Sequence, residues 1–238
     1  FAENRFDGIV LAHEVLDAFP VERIQYSNDI LYQQFVSINQ DKKLFFKKLP
    51  LTKKLRDRIE LLKNKLNCSI PPSNAPEDWT SELHVDNYPW LKNVYKNLNN
   101  GVLLIIDYSL EFKRYYSLNK SDGNIVSYSK QNLNNNILQN PGNSDLTTHL
   151  CNEILVLDAK MAGFKFNGIV KQGEALLALG LAEMIFDIQS KYKNDISEAL
   201  LKREALLRLV DPLCLGDFKW FVFQKSSKKE ITFKSKIF

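Results

Sequence analysis

Glu14 and Asp17 are the residues from which chemistry can first be argued. They lie in Asp7-Gly-Ile-Val-Leu-Ala-His-Glu-Val-Leu-Asp-Ala-Phe-Pro-Val21, directly after the apolar run Ile9 to Ala12. A short β-branched run of this kind reads as a strand buried on both faces of a parallel sheet. In open parallel sheets ligands bind beyond the carboxyl ends of the strands. Two acids therefore fall where a ligand would be held. Their spacing of three would put them on one side of a helical turn. The same pair also reads as an acidic helix start. Asp107 repeats the pattern at the end of Val102-Leu-Leu-Ile-Ile-Asp107-Tyr108, so Ile9–Ala12 and Val102–Ile106 are expected to be neighbouring parallel strands. It reads equally as a turn or capping residue. A third polar group, Asp145-Leu-Thr-Thr-His149, follows Pro141-Gly142 and precedes a helical stretch.

The elements that must position these groups alternate between strand and helix. Residues 22 to 50 alternate apolar and polar, with turn signals at Ser27-Asn28-Asp29 and Asn39-Gln40-Asp41, which predicts a hairpin or meander. Leu51, Leu55, Ile59, Leu62 and Leu66 then recur every three or four residues, the pattern of an amphipathic helix. Lysines and arginines cover its other face and read as solvated. Residues 67 to 89 carry four of the eight prolines and read as loop. Trp90 to Leu98 reads as a helix stopped by Asn99-Asn100-Gly101, ahead of the second apolar strand. Ile125 to Tyr128 is a brief strand candidate, and Asn132 to Asn143 reads as a mobile loop. Asn152 is placed to cap a helix ending near Gly163. Phe164 to Val170 and Phe218 to Gln224 read as strands. Glu174 to Gln189 and Ile196 to Leu209 read as helices between them, and a basic tail follows. The fold class is α/β.

Composition narrows the function. With 238 residues and 45% hydrophobic content the chain can bury a substantial core. No apolar run approaches the roughly 18 residues of a membrane span. A net charge of +4 is too small to argue for nucleic acid. Cys68, Cys151 and Cys214 are far apart, as are His13, His84 and His149. That spacing speaks against a disulfide framework and a metal site, and for a reducing compartment. A Gly-x-Ser-x-Gly nucleophile elbow is absent, against a hydrolase of that kind.

Five segments in order carry a resemblance: AHEVLDAFPV (12 to 21), NNGVLLIIDYS (99 to 109), PGNSDLTTHL (141 to 150), KQGEALLALG (171 to 180) and LGDFKWFVFQ (215 to 224). Together they resemble the MidA-type S-adenosylmethionine-dependent methyltransferases. That family includes a mitochondrial protein arginine methyltransferase acting in respiratory complex I assembly. The family motif Asn-Glu-x-x-Asp-Ala-x-Pro-Val matches Glu14, Asp17, Ala18, Pro20 and Val21, with His13 in place of Asn. Its Asp-Tyr-Gly motif matches Asp107 and Tyr108, with Ser109 for Gly. Its Asp-x-Thr-x-His-Val pattern matches Asp145, Thr147 and His149, with Leu150 for Val.

The resemblance implies a class I, Rossmann-like methyltransferase fold over 1–238, a single partial domain. Residues 22–75 would be an inserted substrate-binding subregion of hairpin plus helix. S-adenosylmethionine would be the cofactor of the complete protein, with the backbone of Ala12 and His13 facing the methyl donor. An arginine side chain on a protein, such as a complex I-type subunit, would be the acceptor. Glu14 would orient the guanidinium, and Asp17 would steady the turn or share that task. Asp107, Tyr108, Asp145 and Thr147 would border the substrate, and Asp107 or His149 would accept a proton. The compartment would be cytoplasmic in a bacterium and mitochondrial in a eukaryote. One family feature is missing: no two of the nine glycines have the Gly-x-Gly spacing of the cofactor turn. The chain is therefore expected to begin after the cofactor-binding third, and alone to bind the cofactor poorly and be inactive. A non-catalytic assembly protein that keeps the fold is the alternative.

Overall fold

The structure is a computed structural model and describes residues 5–129, 132–134, 136–192 and 195–226. The expected basic tail beyond 226 lies outside the described residues. In chain order the first elements are β1 (Phe6–His13), β2 (Val21–Ser27), β3 (Ile30–Ile38), β4 (Leu44–Pro50), α1 (Lys53–Leu66) and β5 (Thr80–His84). There follow α2 (Asn87–Asn97), β6 (Leu98–Asp107), β7 (Ser109–Leu110), α3 (Phe112–Tyr115), β8 (Ile125–Ser129) and β9 (Asn132–Asn134). The rest are β10 (Asp145–Thr148), β11 (Leu150–Cys151), α4 (Asn152–Ala162), β12 (Lys165–Lys171), α5 (Gln172–Ala178), α6 (Leu181–Lys191), α7 (Ile196–Val210) and β13 (Lys219–Lys225).

The chain divides into two compact units. The first comprises 1–14, 93–108 and 163–238. Its sheet has the order β1-β6-β13-β12. β1 runs parallel to β6, with Ile9 opposite Val102 and Ala12 opposite Ile105. The expected pairing of the two apolar runs is therefore present. β13 lies antiparallel between β6 and β12. Apolar residues alternate into the core on β6 (Leu103, Ile105) and β13 (Phe221, Phe223). Phe164 and Phe166 pack their rings against Phe223. Gly101, at φ 156°, lies where a Cβ would meet the Gly8 carbonyl oxygen at 1.8 Å, so the closest approach of β1 and β6 requires glycine.

One expectation for β1 fails. It is an edge strand among the described residues, and Ile9 and Leu11 are 73% and 61% exposed. A continuous apolar run does not reveal which neighbours are present, so burial on both faces could not be read from it. The helix expected over Glu174 to Gln189 is also divided. Gly180, at φ 99°, interrupts it between α5 and α6.

The second unit comprises 15–92 and 109–162. The antiparallel sheet β4-β3-β2-β5 contains the expected meander. Asn28 and Asp29, at φ 50° and 59°, turn β2 into β3 as a two-residue loop with both central residues left-handed. α1 buries Leu55 and Leu62 against Ile24, Trp79, Leu83, Tyr115, Tyr116 and Ile154. It stops at Asn67, which is left-handed at φ 49°.

Three expectations are corrected here. The proline-rich stretch contains β5, all five residues of which are buried. Part of the expected 132–143 loop forms β9 against β8. Asn152 begins α4 but does not cap it: its buried Oδ1 has no hydrogen-bond partner. β5 escaped notice because Ser81, Glu82 and His84 are polar. Their burial depends on partners far along the chain.

Candidate functional site

The carboxyl ends of β1 and β6 lie side by side in the first unit, with His13 opposite Ile106. Each strand delivers polar residues there, and in open α/β sheets ligands bind at that end of the strands. Ala12 is buried and His13 exposed. The His13 ring meets Phe218 edge-on at 5.9 Å between centroids. Glu14 takes φ 50°, an uncommon conformation for a non-glycine residue. Its N–H donates to the Ile106 carbonyl at 3.0 Å, extending the β1–β6 ladder by one bond. The side chain remains about half exposed, 3.7 Å from His13 Nε2. No helical turn forms here, contrary to the expectation from the spacing of the acids.

Asp107 is fully buried and accepts from the Tyr108 N–H at 2.8 Å. The Tyr108 ring lies 4.0 Å from Phe218, at 38° between planes. His13, Glu14, Asp107, Tyr108 and Phe218 thus form one cluster of strand-end residues in the first unit.

The remaining candidates belong to the second unit. Asp17 is buried, and its Oδ2 accepts from the Thr147 hydroxyl at 2.7 Å. Its carbonyl accepts from the Thr148 N–H at 3.1 Å. Asp17 and Thr147 are brought together from 130 residues apart, as a side-chain bond between the turn and β10. Asp145 is exposed at the start of β10. The His149 carbonyl bonds to His84 Nε2 at 3.0 Å. Burial, and then the Lys120 and Arg114 charges, lower the His149 imidazole to about 4. It is therefore neutral at pH 7 and only a weak base.

The sequence reading missed a polar network in the second unit. Glu82 is fully buried and accepts from the Asn124 N–H at 2.7 Å. Its Oε1 lies 3.8 Å from Arg23 Nε, and Phe46 covers that guanidinium at 4.7 Å. Burial holds the Glu82 carboxyl above the ordinary range, against the Asn124 amide and the Arg23 charge. Arg58 grips Asp158 through two bonds of 2.7 Å. Burial lowers His84 to about 4. The polar character of β5 was the available signal, but it read as loop. Among the described residues no group of His, Cys, Asp and Glu could hold a metal, and no helix is long and apolar enough to cross a membrane.

The mixed sheet, with polar residues gathered at its parallel strand ends, matches in its family profile and in solved structures a class I, Rossmann-like methyltransferase fold. The chain belongs to the family described as "Putative S-adenosyl-L-methionine-dependent methyltransferase", whose sequence profile matches residues 1–170. Two solved structures from Burkholderia thailandensis share the fold. An uncharacterised protein superposes with a TM-score of 0.81 at 22% identity, over 94% of this chain and 57% of that one. A second, described as a "likely methyl transferase" and bound to S-adenosyl-homocysteine, gives 0.79 at 22%, over 93% and 54%. The chain thus spans little more than half the length of either. No curated protein matches it in a sequence comparison.

S-adenosylmethionine is the family's cofactor. A Rossmann-type site needs a close-approach glycine turn and an acid for the ribose. The described residues supply strand ends, but β1 has no strand beyond it and no Gly-x-Gly turn is present. These residues alone do not fit the cofactor.

Proposed function

We propose that the chain forms the acceptor side of an S-adenosylmethionine-dependent protein arginine N-methyltransferase that acts on a subunit of a respiratory or NADH dehydrogenase-like complex I during its assembly. The observation that carries this reading is the conformation of Glu14. An exposed carboxylate sits at the end of a parallel strand in left-handed backbone, fixed by its own N–H to Ile106. Strain of this kind concentrates at functional sites. A carboxylate so fixed can accept two parallel bonds from a planar guanidinium. Asp17, tied to β10 by Thr147, suits the role of steadying the turn that follows Glu14. Asp107 and His149 are the candidates for accepting a proton, and the lowered His149 imidazole, a weak base, favours Asp107.

The non-catalytic assembly protein is the second reading, favoured by the missing glycine turn. One experiment separates the two. Methyl release is measured with the full-length protein and an arginine-containing complex I subunit. Glu14→Gln should leave cofactor affinity nearly unchanged. It should cut turnover by about 10²–10⁴-fold, the equivalent of the roughly 3–5 kcal/mol lost when one partner of a desolvated charge pair is removed. Unchanged turnover removes Glu14 from the site. No turnover by the unaltered protein selects the second reading.

A further inference from the structure

We propose that a cavity in the second unit binds a carboxylate carried on a short apolar body, held between the Arg23 guanidinium and the Lys120 ammonium. The inference stands whether or not the chain transfers methyl groups. The cavity has a volume of about 470 Å³. It is lined by Arg23 from β2, Phe46 from β4, and Lys120, Ile125, Val126 and Ile137 from the chain beyond α3. Register explains the first two. Arg23 lies opposite Gln34, and Gln34 opposite Lys48. Arg23 and Phe46, two residues before Lys48, therefore stand on one face of the sheet. The Phe46 ring covers the guanidinium at 4.7 Å. The loop that carries Lys120 is pinned by three bonds. The Ser121 carbonyl accepts from the Thr80 N–H at 2.6 Å, and the Asp122 carbonyl from Arg23 Nη2 at 2.7 Å. The Asn124 N–H donates to Glu82 at 2.7 Å. The walls are thus in place before a ligand arrives, which lowers the cost of binding.

Both cations have donors to spare. Lys120 Nζ donates to Asn124 Oδ1 at 2.8 Å and has no ion pair among the described residues. Two of its three N–H groups remain. Arg23 faces Glu82 through Nε at 3.8 Å, and its Nη1 has no partner among the described residues. Arg114 adds a third positive charge near Lys120. The acids are Asp122, exposed at the lip, and Glu82, which is fully buried. Burial works against the Lys120 charge, Glu82 favours it and Arg114 opposes it. A bound anion would offset the burial and the Arg114 repulsion together. The apolar lining, Phe46 with Ile125, Val126 and Ile137, suits a hydrocarbon body rather than a free phosphate.

Hexanoate, hexanamide and inorganic phosphate are the probes. Each is titrated at pH 7 and constant ionic strength into the isotope-labelled 238-residue chain, with amide chemical shifts as the readout. Hexanoate should shift the amides of residues 120–126 saturably, with a dissociation constant of about 1 mM. Hexanamide lacks the charge and phosphate the apolar body, so each should bind at least about tenfold more weakly. Lys120→Gln, which leaves Arg23 beside Glu82, should weaken hexanoate about tenfold. Arg23→Gln should do the same, with circular dichroism as the check on folding. Lys113→Gln, at an exposed position on α3 outside the lining, should change nothing. A free acid and an acidic side chain of a polypeptide present the same group. A capped tripeptide with a central glutamate between leucines distinguishes them: tighter binding than hexanoate assigns the site to a polypeptide, weaker binding to a free acid. No saturable shift up to about 20 mM hexanoate overturns the proposal. So does equal binding of hexanamide or phosphate, or a Lys120→Gln variant that binds hexanoate as well as the unaltered chain.

Discussion

Replacing Arg58 by methionine should destabilise the second unit in a pH-dependent way. Asp158 is fully buried on α4, and its two oxygens accept from Arg58 Nη1 and Nη2, both at 2.7 Å. Arg58 lies on α1, so this pair joins two helices 100 residues apart in sequence. Burial raises the Asp158 carboxyl above its ordinary range, and the two bonds and charge of Arg58 pull it back. Methionine keeps the apolar stem and removes the pull. A buried carboxylate left without its partner costs about 3–5 kcal/mol. Asp158 avoids that cost only by taking up a proton. Its folded pKa rises further above the unfolded value, so stability is retained at low pH and lost as pH rises. Relative to the unaltered protein, the penalty should grow between pH 5 and pH 8 by up to about 1.4 kcal/mol per pH unit. Urea denaturation of both proteins across that range is the assay. A penalty below about 1 kcal/mol at pH 8, or one that does not change with pH, would refute the reasoning. The double variant Arg58→Met with Asp158→Leu should recover much of the loss, because an apolar pair of similar volume has no charge to desolvate.

Gly123→Ala should destabilise by roughly 1–3 kcal/mol in thermal or urea unfolding, the cost of placing a side chain in strained backbone. Gly123 is at φ +90°, and a Cβ there would lie 2.1 Å from the buried Glu82 Oε1; an unchanged midpoint would contradict this. His84, lowered to about 4 chiefly by burial, should make stability fall as pH drops from about 6.5 to 4. The unfolded chain binds the proton first in that window, for a loss of roughly 3 kcal/mol. Glu82 acts in the opposite direction, since its folded carboxyl is raised. The comparison is therefore with His84→Gln at each pH, and parallel curves would exclude the effect. Calorimetric titration of the 238-residue chain with S-adenosylmethionine should show binding no tighter than about 1 mM. Micromolar binding would place a complete cofactor site within these residues.

The sequence by itself determined the elements whose signals are local. Periodicity located α1 and α7, and the turn residues Asn28 and Asp29 located the β2–β3 hairpin. The apolar runs ending in Glu14 and Asp107 sufficed to pair β1 with β6, because short apolar runs followed by polar groups have few alternatives in an α/β fold. The same motifs led to the family. Tertiary structure decided whatever depends on partners distant in sequence. The exposure of Ile9 and Leu11 follows from β1 being an edge among the described residues. The burial of Glu82, His84 and Asp158 depends on Asn124, His149 and Arg58, from 42 to 100 residues away. Asp17 could be read as Glu14's companion from its spacing, but its bond to Thr147 lies 130 residues along the chain. The left-handed backbone of Glu14 goes with a hydrogen bond from its N–H to β6, 92 residues along the chain. A side chain's type and spacing fix what it can do chemically, whereas its burial, charge state and backbone conformation are set by neighbours that folding brings to it.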